Sequence, residues 1–209
     1  MAITIVTTDK DNSIFVGDPT DNDGTNVRLF LTNLSNNTRI ILLNFTIPSA
    51  IVSSEVTSAN LLMTMVVANP ADASWIAHRI VPVWAESTST WEDSDFSNTW
   101  TTPGAGHIED DISNTPTPKT GTVPNGQTGV YDLGDFKLFV IDAIDNRSRR
   151  LSLRISKTGF LSSNGQQFHS KDSISNGESF FPRINIFTGT GGGAYAAMSH
   201  ANLVTPKII

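Results

Sequence analysis

The chain has 209 residues, a formal net charge of −6 from 20 acidic and 14 basic side chains, and no cysteine. The missing cysteines exclude disulfides, zinc–thiolate sites and thiol nucleophiles together, and the acidic balance argues against the basic face of a nucleic-acid binder. Only 16% of residues are charged, against roughly 25% in an average soluble domain. Ser, Thr and Asn carry the polarity instead, with 15 Gly and 10 Pro, a mixture suited to strands joined by many turns.

In chain order, Met1–Asp9 shows no basic segment followed by an apolar run, so no secretory signal is read there. No stretch approaches the roughly 18 apolar residues of a membrane span. Residues 1–12 read as an N-terminal arm and 13–188 as one domain. Asp18-Pro19-Thr20-Asp21-Asn22-Asp23-Gly24 places three carboxylates in one turn. Asp18, Asp21 and Asp23 are therefore a candidate calcium site, with an Asx-rich surface turn as the alternative. Arg39–Phe45 reads as a core strand. Ser58–Ala68 is the longest apolar run, and its two apolar faces predict the middle of a sheet. Ile76–Trp84 alternates more openly and predicts a further strand.

Residues 101–128 are rich in Thr, Pro, Gly and Asn, and Thr115-Pro116-Thr117-Pro118 cannot sit inside a sheet. They predict a long surface loop. Strands are expected again over Val130–Val140, Leu151–Ile155 and Phe181–Phe187. Arg147, Arg149 and Arg150 read as a solvated sheet face. Gly189 and Gly191–Gly193 form a hinge before a tail, residues 194–209, that carries Tyr195, Met198, Leu203, Val204, Ile208 and Ile209. Six large apolar residues are too many for a tail left in water, so they are the candidate partner-binding residues. Short β-rich runs between turn residues, with helical periodicity nearly absent, give the fold class: an all-β jelly-roll β-sandwich of two antiparallel sheets.

Four stretches, in this order, resemble the DNRLRE-type domain family. They are Arg39–Phe45 with Ile47-Pro48, then Val56–Leu61, then Trp84-Ala85-Glu86-Ser87-Thr88-Ser89-Thr90-Trp91, and last Phe168-His169-Ser170-Lys171-Asp172 with Phe181-Pro182-Arg183-Ile184. The third is the most specific, since two Trp at fixed spacing around Glu and Thr are rarely met by chance. The resemblance covers about Ser13 to Phe187 and implies a jelly-roll related to growth-factor propeptides and to some polysaccharide-binding modules.

Catalytic spacing is missing. The four histidines at 78, 107, 169 and 200 show no metal-ligand pattern, and Gly189–Gly193 lacks the Lys-Ser/Thr ending of a phosphate loop. The expectation is a non-enzymatic virion structural protein, assembled in a host cytoplasm: a bacteriophage capsid-decoration, head-fibre or tail-associated subunit. Its expected partners are other virion proteins and copies of itself, in a homo-oligomer such as a trimer, with neither nucleic acid nor membrane. The alternative is a carbohydrate-binding module or adhesin domain that recognises a surface polysaccharide. Exposed Trp rings stack on sugars. Trp84 and Trp91 read as filling one end of the sandwich, which leaves Trp100 as the glycan candidate. No cofactor is expected beyond calcium at the acidic turn.

Overall fold

The computed structural model describes residues 1–34, 36–68, 72–123, 126, 128–158, 165–174 and 177–189. They form twelve strands and one α-helix: β1 (Ala2–Thr7), β2 (Lys10–Phe15), β3 (Arg28–Leu31), β4 (Arg39–Thr46), β5 (Val56–Val67), β6 (Ala73–Ile80), β7 (Ile112–Ser113), β8 (Lys119–Val123), β9 (Gly129–Asp135), α1 (Lys137–Asn146), β10 (Arg150–Thr158), β11 (Gln166–His169) and β12 (Arg183–Thr188). Every pairing between them is antiparallel, and the strands divide between two sheets. This is the expected all-β sandwich.

The long strand β5 organises the first sheet. β9 pairs along one edge of it through Asn60–Met65. Along the other edge β12 pairs through Val56–Leu62, and β11 continues at Met65 and Val67. Beyond these lie β1, paired to β12, and β3, paired to β11. The second sheet runs β2-β4-β10-β6, and β8 and β7 share the far edge of β6. Successive strands from β1 to β6 alternate between the two sheets, as do β8 to β11, which is how a jelly-roll winds.

Alternation explains the core. Ala59, Leu61, Met63 and Met65 of β5, Ile184 and Ile186 of β12, Ile41, Leu43 and Phe45 of β4, and Leu151, Leu153 and Ile155 of β10 are all buried between the sheets. β4 is apolar on both sides. Its Ile40 and Leu42 are equally buried, but in a second cluster on the outer face of its sheet.

Several expectations are corrected. Residues 1–12 are not an arm, because β1 and the first half of β2 fall within them and are full members of the two sheets. The stretch expected as one strand over Val130–Val140 divides at Phe136, and α1 follows. Phe136, Phe139, Val140 and Ala143 recur at helical spacing and are all buried. Asp135 makes the break, since its carboxylate accepts from the backbone N–H of Lys137 and of Ala59 at 2.9 and 2.8 Å. Phe136 then stacks on Trp75 with centroids 6.5 Å apart, and Asp142 pairs with Arg79 of β6 at 3.3 Å. The loop expected over 101–128 is shorter, because β7 and β8 lie within that stretch. The longest strand-free stretch is 81–111 instead. It starts early because Pro82, without an N–H, ends β6 at Ile80. The arginine cluster is not a solvated face. Arg149 donates to the carbonyls of Pro48 and Ile51, Arg150 to those of Pro82 and Val81, and Arg147 pairs with Asp142.

Candidate functional site

The 81–111 loop folds over the outer face of the second sheet and closes a small core of its own. Ile14 of β2, Ile40 and Leu42 of β4 and Ile80 of β6 supply the floor, and Trp84, Trp100 and Ala105 the roof, with Trp91 half-buried at the side. Polar groups hold this roof in place. The Trp100 indole N–H donates to the Thr90 carbonyl at 3.0 Å. The buried Asp111 carboxylate accepts from the backbone N–H of Thr101, Thr102 and His107 at 2.8, 2.8 and 3.0 Å. Arg154 of β10 reaches the Gly104 carbonyl at 2.9 Å, and burial pushes its guanidinium down to about 10, against the pull of Asp111. Burial and the nearby Arg154 also hold His78, on the same strand pair, below its usual value.

Two sequence candidates are corrected here. Trp100 is not an exposed contact, since it is 3% accessible and part of this core. The expectation for Trp84 is met at 1%. Asp18, Asp21 and Asp23 do not converge into a cation site. Asp18 and Asp21 are exposed, and Asp23 pairs with Arg39 at 3.4 Å. The working residues of that turn are Asn22 and Gly24. The Asn22 amide donates to the carbonyls of Glu86 and Ser89, each at 2.7 Å. Gly24 lies so close to the Glu86 carbonyl that a Cβ would stand 2.2 Å from its oxygen, so only glycine fits. The acidic turn is thus a clip on the loop.

Beside this clip the structure assembles a cluster that reading the residues separately did not join: Asp11 of β2, Glu86 of the loop, and Ser170, Lys171 and Asp172 after β11. Asp11 is 1% accessible. Its carboxylate accepts from Ser170 Oγ at 2.9 Å and from the Lys171 backbone N–H at 2.8 Å, while its own N–H donates to Glu86 Oε1 at 2.8 Å. The Lys171 ammonium lies 3.2 Å from Glu86 and 3.0 Å from Asp172. Desolvation dominates at Asp11 and pushes its carboxyl up to about 7, despite those two donors; the Glu86 charge adds to the rise. Burial alone would pull Lys171 down, but its hydrogen bonds to Asp172 and Glu86 outweigh it and hold the ammonium above its usual value.

Oxygens of Asp11, Glu86 and Asp172 approach within 4.8 Å of one another, a spacing that suits a divalent cation. Lys171 already stands against two of the three, so the chain supplies its own positive charge. The Ser170 hydroxyl is no nucleophile in reach of a substrate. The residue is fully buried, donates to Asp11 and accepts from the Asp172 N–H at 3.0 Å. What the cluster does is join β2 of one sheet, the turn after β11 of the other, and the loop above them. Glu86 and Lys171 belong to the third and fourth of the stretches noted in the sequence. Nothing in the local pattern marked Asp11 as their meeting point, although its place among polar neighbours in a short strand was the available signal.

Tyr195, Met198, Leu203, Val204, Ile208 and Ile209, the candidate partner-binding residues, lie outside the described residues. No helix of the described residues is long and apolar enough to cross a membrane. No family model matches the chain, and no curated protein matches it either.

Proposed function

We propose that this chain is a non-enzymatic structural subunit of a virus particle, a bacteriophage capsid-decoration, head-fibre or tail-associated protein with a DNRLRE-type sandwich. The observation that carries the reading is how the reactive groups are used. Asp11, Ser170 and Asp111 are buried, Glu86, Lys171 and Asp172 are half-buried, and all six are spent on joining loop to sheets. On the outside, by contrast, apolar side chains remain in water, Ile3 and Ile5 side by side on β1 among them, at 56% and 61% accessible. An exposed apolar row of this kind is suited to being packed against other subunits.

The test is sedimentation of the protein with particles released from the cells that make it. Banding with particles through a density gradient is the expected result. A protein found only in the free fraction contradicts the reading.

One observation favours the alternative, recognition of a surface polysaccharide. A shallow pocket of about 170 Å³ is lined by Phe30, Thr32, Asn37, Arg39, Gly165 and Gln167, an aromatic ring among amide and guanidinium donors. Arg39 already stacks between Phe15 and Phe30, at 4.1 and 4.7 Å from their ring centres, so a sugar would share the Phe30 ring with it. Binding on a glycan array that Gln167→Ala abolishes would move this reading ahead.

A further inference from the structure

A sheet edge presents unpaired backbone groups, and proteins blunt such edges with charge, glycine, brevity or a cover. Most edges of this sandwich are treated so. At β2, Glu86 accepts the Asp11 N–H and Lys171 lies alongside. β9 carries Asp132, Gly134 and Asp135 and meets β5 through an irregular register. β3 spans four residues and opens with Arg28, β7 spans two, and β8 holds Lys119 and Gly121. β1 is the exception. Ala2-Ile3-Thr4-Ile5-Val6-Thr7 has neither charge nor Pro nor Gly, and among the described residues β1 pairs only with β12. Ile3 stands opposite Phe187 of β12, so the outward apolar row continues into the sheet.

The end of the described chain arrives at this same place. Thr188 pairs with Ala2, and a Cβ on Gly189 would lie 3.5 Å from the Met1 Cα. Residues 190–209 follow, with their six large apolar side chains. At roughly 3.3 Å per residue, a few residues would suffice to reach the outer edge of β1, and the number left over exceeds its six-residue length. A chain that passes directly over Met1, however, would run parallel to β1, in a sheet that is otherwise antiparallel. The same segment arriving from another copy is free to run antiparallel, with the better-aligned hydrogen bonds of that arrangement.

We propose that the outer edge of β1 is the acceptor for segment 194–209 of a second copy, which adds to it as an antiparallel strand and covers Ile3 and Ile5. The inference rests on the subunit reading above and names the surface through which copies meet. Strand addition of this kind draws affinity from the backbone and specificity from alternate side chains. Reciprocal exchange closes a symmetric oligomer.

The chain's freedom from cysteine makes the test direct. In the full-length double variant Ile5→Cys/Val204→Cys, a short bismaleimide should link one chain to another, giving covalent dimers and larger rings on a denaturing gel. Asp21→Cys/Val204→Cys, with its thiol on the exposed acidic turn instead of on β1, should stay uncrosslinked at the same concentration. A link formed within a single chain overturns the proposal by assigning the edge to the chain's own tail, and so does no link at all. Ile5→Lys, at a position too exposed to disturb the core, should convert the oligomer to a monomer in size-exclusion chromatography that stays folded by circular dichroism and melts at a temperature independent of protein concentration. A variant that remains oligomeric overturns the proposal as well. Particle association is measured separately, so a failed cross-link with retained co-sedimentation refutes the strand exchange and leaves the subunit reading standing.

Discussion

The sandwich interior and the core beneath the 81–111 loop are built by opposite means. Between the sheets, strands bring one apolar face each, and alternation alone decides which residues meet. Beneath the loop, only the floor is strand. The roof is a polar stretch that contributes two fully buried indoles and is fixed by Asp111, Arg154, Asn22 and the Asp11–Glu86–Lys171 cluster. The first core depends on area removed from water. The second depends on placed hydrogen bonds around a few large rings, so it should be the more sensitive to single changes of polar residues and to pH.

The largest expected effect is Trp84→Ala. Removing this indole should cost about 3–5 kcal/mol, as for other large aromatics taken from cores, and calorimetry or denaturant unfolding would measure it. If the two cores fold as one unit, the loss appears as a single transition at a lower midpoint. A separate early transition would mean that the loop melts alone. A wild-type midpoint would mean that the ring contributes nothing.

The next effect is that of pH. A carboxyl whose pKa is higher folded than unfolded holds its proton more tightly in the native state. Asp11 therefore lends stability that is fully present below about 4, the unfolded value, and is lost as the pH rises through about 7. At about 1.4 kcal/mol per unit, this amounts to a few kcal/mol at most. His78 and His169 are held below their usual value by burial and by Arg154 and Arg28 respectively, and they act in the other sense, costing stability as the pH falls. The comparison between wild type and Asp11→Asn isolates the carboxyl. The asparagine variant should melt at a temperature less dependent on pH between about 4 and 7, and should gain on wild type as the pH rises. Parallel pH profiles would show that Asp11 titrates as it does in the unfolded chain.

The smallest effect is predicted at the acidic turn. Asp21→Ala removes an exposed carboxylate and should change stability by no more than about 0.5 kcal/mol. Chelator should leave the melting temperature of wild type where it was. A shift in chelator that Asp21→Ala abolishes would restore the calcium site.

These differences also explain what the sequence revealed. β4, β5, β10 and β12 were legible because their apolar residues repeat at strand spacing over several positions. Trp84 was rightly assigned to the core. Trp100 was not, because its neighbours Asn98, Thr99, Thr101 and Thr102 are polar, and its burial comes from Asp111 and Arg154 drawing the loop down. α1 was missed because Phe136–Val140 is apolar over a length that suits either period, and the decision lay with Asp135. The Asp11 cluster joins positions 11, 86 and 171, and no local pattern carries such a meeting. The Asp18–Gly24 turn was noticed for its carboxylates, whereas its structural work falls to the amide of Asn22 and the bare backbone of Gly24.

The 81–111 loop, despite having no strand of its own, is a cored part of the domain. Hydrogen–deuterium exchange along the chain tests it most directly. The backbone N–H of Trp100 donates to the Glu92 carbonyl, and those of Thr101 and Thr102 to the buried Asp111. These amides should exchange as slowly as those of β4 and β10. Exchange at the rate of an open surface loop would contradict it.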